Sequence, residues 1–365
     1  MRQNPTPFSQ KLCSDALRAF LFCGVLFQNG TASPTQVKDR KMSFSEQVLA
    51  SEQVAEQLAF TPDGQFWLAG AQREIAVFQG KQKVRTLGPV WFASGANLRV
   101  SQDGKHVGAG GNVYSFSNGK EVFSPRADRV FPHQAGFEVA ASVLSPNFSE
   151  ALVWLKFFPS RCCRDRGHHD SPTHLPVSPL FLISTVTGKA KPVPFPQNDW
   201  RSQELSALLV SRHFLVAGGT VEKSAVFDRK TLQRVNYLEA EGSFSAFRMT
   251  EDEKTLVAQN QLRWLAVFSQ PNFAVRVRFL AVPDGKLFSA FAVHPKGRFV
   301  AVGGPDEELR FYSLVHGEEG RLLGIHRLGG PSSAIEFDPG GENVLCAVFR
   351  DGKRQVVLVH VTNLP

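Results

Sequence analysis

After residue 50 the chain is a succession of short apolar runs separated by tight polar turns. No 3.6-residue apolar periodicity lasts beyond about two helical turns. One combination of turn and run recurs. It reads Pro62-Asp63-Gly64 before Phe66-Trp67-Leu68-Ala69-Gly70, and Gln102-Asp103-Gly104 before His106-Val107-Gly108-Ala109-Gly110. It returns as Pro146-Asn147-Phe148 before Ala151-Leu152-Val153-Trp154, Ser211-Arg212 before Phe214-Leu215-Val216-Ala217-Gly218, and Asp252-Glu253 before Thr255-Leu256-Val257-Ala258. The last copies are Pro295-Lys296-Gly297 before Phe299–Gly303 and Pro339-Gly340-Gly341 before Val344–Ala347. With the third turn position as marker, the copies fall at 64, 104, 148, 212, 253, 297 and 341, at intervals of 40, 44, 64, 41, 44 and 44. The long interval returns to the common period once about 20 residues near 159–178 are set aside as an insertion.

Each unit continues with a run ending in an aromatic: Ile75–Phe78, Val113–Phe116, Ser224–Phe227, Leu265–Phe268 and Leu309–Tyr312. A Gly-Lys turn often follows, at Gly80-Lys81, Gly119-Lys120 and Gly188-Lys189, and then a fourth run such as Lys83–Leu87 or Leu232–Leu238. Glycine accepts the positive φ of tight hairpins, and β-branched and aromatic runs between such turns read as strands. The pattern therefore predicts an all-β chain of seven units with about four strands each.

The Pro-Asp-Gly turn at 62–64, its counterpart at 102–104, and the aromatic run ends Phe78, Phe116, Phe227, Phe268 and Tyr312 resemble the WD-repeat type of β-propeller over roughly residues 40–365. The aromatics stand where that family has the Trp of its Trp-Asp pair, and only Phe227-Asp228 keeps the Asp. The resemblance implies a seven-bladed β-propeller of four-stranded antiparallel blades. Physics points the same way, because a lone twisted blade shields neither of its faces, whereas a ring of blades buries both. The last unit has runs at Ala334–Phe337, Val344–Val348 and Val356–Val361 and no fourth. The segment Lys41–Gln47 is expected to supply it, so that both ends of the ring meet in one blade.

Composition adds limits. The 42% hydrophobic and 20% charged fractions describe a globular chain. The longest apolar run, Ala19–Phe27, has nine residues, whereas a bilayer-spanning helix needs about 20, so no transmembrane span is expected. Arg2, Lys11 and Arg18 precede that run and Gln28-Asn29-Gly30-Thr31-Ala32 follows it. This is the layout of a secretory leader over 1–32, ahead of a propeller domain over 33–365, and implies a periplasmic or extracellular protein. The alternative is a short extension on a cytoplasmic protein. The net charge is +8, and +6 without residues 1–32. With no run of five like charges, a scattered solvated surface is expected rather than nucleic-acid binding. Cys162, Cys163 and Cys346 remain after a leader, an odd number that defines no disulfide framework.

The insertion is the most unusual segment. Arg161-Cys162-Cys163-Arg164-Asp165-Arg166-Gly167-His168-His169-Asp170, with His174, gathers thiols, imidazoles and carboxylates. These are zinc or copper ligand types, but adjacent cysteines lack the two-residue gap of a tetrahedral clamp, so no metal and no cofactor are assigned. The candidate binding residues are Arg161, Arg164, Arg166, His168 and His169, of which the three arginines carry guanidinium forks that match carboxylate or phosphate. The bland alternative is a solvated basic loop. By the resemblance, the insertion joins the second and third strands of its blade.

No Gly-x-Ser-x-Gly, His-Glu-x-x-His, phosphate loop or Gly-x-Gly-x-x-Gly is present, and no catalytic residue is assigned. Gly108-Ala109-Gly110-Gly111 reads as a strand entering a hairpin. Asp63, Asp103, Asp252 and Asp351 fall in turns, where local backbone hydrogen bonding is their expected role. His106, His213 and His294 flank hairpin turns, and Asn147-Phe148-Ser149 is a glycosylation sequon in a eukaryotic secretory setting. The expected function is a non-enzymatic scaffold for protein partners, built as a monomeric propeller. The alternatives are a propeller enzyme (a lactonase-like hydrolase or an oxidoreductase) and a metal or ligand sensor using the 161–174 loop.

Overall fold

Leu215, Val216 and Ala217 are consecutive and all fully buried, as are Val300, Ala301 and Val302. Successive side chains of a strand point to opposite faces, so a run buried throughout needs cover on both sides. The computed structural model shows how that cover arises. It describes residues 42–363 apart from 72–73, 89–97, 128–136, 158–178, 196–204, 220–223, 240–242, 261–262, 283–287 and 289. The leader pattern of 1–32 lies outside the described residues.

The described strands form seven four-stranded antiparallel sheets. β1 (Ser43–Ser51) comes first. Blade 1 is β2 (Gln57–Phe60), β3 (Trp67–Ala71), β4 (Glu74–Gln79) and β5 (Gln82–Leu87); blade 2 is β6 (Arg99–Val100), β7 (His106–Ala109), β8 (Asn112–Ser115) and β9 (Glu121–Phe123). Blade 3 is β10 (Phe137–Leu144), β11 (Glu150–Phe157), β12 (Leu180–Ser184) and β13 (Ala190–Pro192); blade 4 is β14 (Leu205–Val210), β15 (Phe214–Gly219), β16 (Ser224–Asp228) and β17 (Arg234–Leu238). Blade 5 is β18 (Phe244–Met249), β19 (Thr255–Asn260), β20 (Trp264–Ser269) and β21 (Ala274–Leu280); blade 6 is β22 (Ala290–Val293), β23 (Phe299–Gly303), β24 (Glu308–Ser313) and β25 (Leu322–Arg327). Blade 7 is β26 (Ser332–Phe337), β27 (Asn343–Arg350) and β28 (Lys353–Thr362), with β1 as its fourth strand. In each blade the strands are called a to d from the axis outward.

Seven apolar clusters fill the seven interfaces between neighbouring blades. Val107 and Tyr114 pack on Leu68 and Ile75 between blades 2 and 1. Val113 and Phe123 meet Ala151 and Ile183 between blades 2 and 3. In blade 4, Leu215 faces blade 3 while its neighbour Val216 faces blade 5. The seventh cluster joins Leu345 and Val356 of blade 7 to Leu58 and Trp67 of blade 1, which closes the ring.

Closure needs the first strand. β1 pairs antiparallel with β28 from Ser43↔Thr362 to Ser51↔Gln355. It extends to Ser51, four residues beyond the expected end at Gln47. Met42 and Phe44 pack into the cluster between blades 6 and 7, with the Phe44 ring stacked 5.2 Å from that of Phe311. Beside them Glu46 takes Arg350 of blade 7 on one carboxylate oxygen at 2.6 Å and His326 of blade 6 on the other at 3.1 Å. One side chain of β1 thus ties two blades.

The a–b turns explain the repeating marker. A polar residue opens each: Thr61, Ser101, Ser145, Ser211, Thr250, His294 and Asp338. Its side chain accepts a backbone N–H further along the turn, as from Phe66 to Thr61 Oγ1 at 3.0 Å and from Asn343 to Asp338 Oδ1 at 2.9 Å. Asp63, Asp103 and Asp252 each accept the opening hydroxyl and a backbone N–H, which contributes to holding their carboxyls below the usual range. Six of the seven marker positions have left-handed φ, including Phe148 at 56° and Glu253 at 59°. Blade 4 departs from the expected alignment. Its turn is shorter, Phe214 N–H reaches Ser211 Oγ only three residues back at 2.9 Å, and Arg212 is not left-handed. The buried Glu253 carboxylate of blade 5 accepts the Arg212 N–H beside this shortened turn. The fourth strand of blade 4 begins at Arg234 rather than Leu232, because Leu232 sits in the preceding turn with φ 59°.

His294 replaces a hydroxyl in the blade 6 turn. It is 1% exposed, accepts Lys296 N–H on Nδ1 at 3.1 Å, and packs between the Phe299 and Phe337 rings and Gly341. Burial, with Arg298 and Lys296 nearby, pulls its pKa from 6.5 down to about 4, against a smaller opposite pull from Asp338.

Two outcomes follow for stability. Glu46→Ala leaves Arg350 without its carboxylate and is expected to cost about 1–3 kcal/mol in urea unfolding. A variant as stable as the parent would mean that this cluster does not hold the closure. For His294, both folded and unfolded chains are neutral well above pH 6.5, and the imidazole has no effect there. As pH falls from 6.5 toward 4 the unfolded chain takes up the proton first, so stability drops by about 3 kcal/mol and then levels off. His294→Ser is expected to flatten this part of the pH profile relative to the parent; an unchanged profile would refute the assignment.

Candidate functional site

Strand direction sorts the connections onto two faces. Strand a runs toward the a–b turn, b returns, c runs out and d returns. The b–c and d–a connections therefore share one face, and the a–b and c–d turns share the other. On the first face lie the two exposed aromatic side chains among the described residues, Trp264 at 38% and Phe349 at 50% exposure. Trp264 opens strand c of blade 5 and pairs directly with Leu280, itself exposed, at the end of strand d. Phe349 lies next to the end of strand b of blade 7, where its N–H donates to Pro331 C=O at 2.9 Å. At the b–c turn of blade 6 the buried Arg310 guanidinium lies 2.5 Å from Asp306 and 2.5 Å from Glu308, anchoring the turn from beneath.

The insertion leaves β11 after Phe157 and re-enters β12 at Leu180, so it joins the second and third strands of blade 3 and its two ends are on this same face. Arg161, Arg164, Arg166, His168 and His169, like Cys162 and Cys163, lie outside the described residues. Among the described residues no three His, Cys, Asp or Glu side chains gather as metal donors, and no helix is long and apolar enough to cross a membrane. His106, His213 and His294 stay on separate blades at a–b turns, as the sequence places them. Burial pushes the Cys346 thiol up, inside the cluster between blades 6 and 7.

A second site lies at the axis. The a strands surround a cavity of about 400 Å³. Two residues before each a–b turn, the register brings seven equivalent positions to one level: Ala59, Arg99, Val143, Leu209, Arg248, Ala292 and Glu336, each paired with strand b of its own blade. Three are charged, and all three line the cavity. They come from blades 2, 5 and 7, and so are spread around the ring. Arg248 Nη1 donates to Phe247 C=O at 3.0 Å, and its guanidinium lies 5.6 Å from the Phe291 ring centre. Burial pulls Arg99 down to about 10, with Arg248 pushing the same way and Glu336 opposing. Burial also lowers Arg248 against the pull of Glu336, and it raises the Glu336 carboxyl against both guanidinium groups. The charges are thus coupled across the axis, with two cations to one carboxylate. Sequence reasoning passed over all three. The signal that would have found them is the aligned repeat, where this position is apolar in four units and charged in three.

No family model matches the chain, and no curated protein matches its sequence. Solved structures match its fold. The β-propeller domain of Myceliophteria thermophila Cps50 (Swd1) is similar with a TM-score of 0.64 at 17% identity, over 86% of this chain and 99% of that domain. The WD40 repeats of RRP9 are similar with a TM-score of 0.64 at 14% identity, over 87% of this chain and 97% of theirs. At such identities the likeness is one of fold.

Proposed function

From a WD40-type propeller fold, we propose that the chain is a non-enzymatic scaffold that holds protein partners on the face carrying the b–c and d–a connections. The observation that carries the reading is that the two aromatics exposed among the described residues, Trp264 and Phe349, lie on the face from which the insertion springs. Exposed aromatic anchors and arginine-bearing loops are what protein interfaces concentrate. In this proposal Arg161, Arg164, Arg166, His168 and His169 extend that face and engage acidic groups of the partner. The structural likeness to Cps50 and RRP9 propellers supports an interaction role in general terms. The leader pattern makes export part of the same proposal, and cell fractionation with N-terminal sequencing of the mature chain tests it. An intact N-terminus on protein confined to the cytosol would refute export.

The test of the scaffold is quantitative affinity capture from the source cells, comparing the parent with Trp264→Ala/Phe349→Ala and with a chain in which 159–178 is replaced by a short Gly-Ser link. A defined partner is expected in the parent and reduced about tenfold or more in at least one variant, since an interface anchor contributes on the order of 2 kcal/mol. Capture that survives both changes but is lost when Val186 and Val315 on the opposite face become Asp would overturn the assignment of the face.

A further inference from the structure

We propose that the axial cavity is a binding site for a phosphate-class oxyanion held between Arg99 and Arg248. The geometry carries the inference. The two guanidinium groups enter one cavity of about 400 Å³ from blades 2 and 5. Among the described residues, neither has a carboxylate oxygen within 4.0 Å. Glu336 is the one carboxylate at their level and neutralises at most one of them; Glu56 also lines the cavity, but at its other end, where strand a of blade 1 begins. Arginine forks supply parallel donors that match the oxygens of a phosphate group. Several other polar groups of the wall turn elsewhere: Ser245 and Ser333 donate to the carbonyls of Gln259 and Ala55, and Gln259 to that of Phe288, whereas the Gln57 amide oxygen is buried there without a partner. Charge recognition falls to the guanidinium pair, with the Gln57 amide as a neutral wall group, and Glu336 acts as the internal competitor that the ligand displaces. Such a ligand has two sources, a free small anion and a phosphorylated side chain of a partner that reaches into the axis.

The site is independent of the partner face, because the three charged positions lie two residues from the a–b turns, toward the opposite end of the channel.

The experiment is isothermal titration of the full chain with inorganic phosphate at constant ionic strength in chloride, alongside a phosphoserine pentapeptide and its unphosphorylated form. The parent is expected to bind phosphate, Arg248→Gln to bind at least about tenfold more weakly, and Glu336→Gln to bind severalfold more tightly because the competing carboxylate is gone. Tighter binding of the phosphopeptide than of inorganic phosphate, with none by the unphosphorylated form, assigns the ligand to a partner; the reverse order assigns it to a free anion. Circular dichroism establishes that each variant is folded, and Glu336→Gln carries the test if Arg248→Gln is not. No phosphate binding up to about 10 mM by the folded parent, or an affinity unmoved by both substitutions, overturns the proposal.

Discussion

A four-stranded sheet that is apolar on both faces has no stable existence by itself. Every larger feature of this protein follows from that constraint. The b strands carry the clearest mark of it: Leu215 and Val216 are neighbours in the chain yet belong to the interfaces with different blades. Blade 4 must therefore be clamped on both sides, and so must each of the others, until the seventh interface meets the first. Closure is reinforced by chemistry that differs from the rest of the ring. Around β1 the packing of Phe44 is joined by Glu46, which pairs with Arg350 of blade 7 and contacts His326 of blade 6, the two blades that flank the seam.

The ring was legible in the sequence because its cause is periodic. An apolar run recurs in each blade and a turn residue with positive φ in six of the seven, and Gly64, Gly104, Gly297 and Gly341 occupy the left-handed turn position that glycine tolerates best. Legibility failed where one blade solved the same problem differently. The shortened turn of blade 4 leaves Arg212 at a marker position whose backbone role it does not share, and Glu253 from the next blade compensates at a distance of 41 residues in the chain. Register also escaped at the edges: only the pairing with β28 shows that β1 runs on to Ser51. The axial charges were hidden for another reason. Arg99, Arg248 and Glu336 are separated by more than a full unit in sequence, and only the common level of the a strands brings them to one cavity. The surface face was half legible: the insertion stands out by length and composition, whereas Trp264 and Phe349 border apolar runs and nothing in the sequence marks them as exposed.

The two candidate surfaces make different physical demands. A partner face gains from variable connections mounted on rigid strands. An axial anion site needs fixed guanidinium groups in a confined, weakly hydrated space, where charges interact more strongly than in bulk water. The propeller meets both, since the strands that set the level of Arg99 and Arg248 are the same ones whose far ends lead into the d–a connections.

The pairing of β1 with β28 also bears on the life of the nascent chain. Ser43 and Thr362 are 319 residues apart, and bringing such distant points together costs about 5 kcal/mol in loop-closure entropy. At roughly 5–20 residues per second, the ribosome leaves the first strand without its mate for on the order of 15–60 s. Throughout that interval Met42 and Phe44 lack the strands that later cover them, so synthesis itself creates a window in which a neighbouring chain or a chaperone competes for the seam.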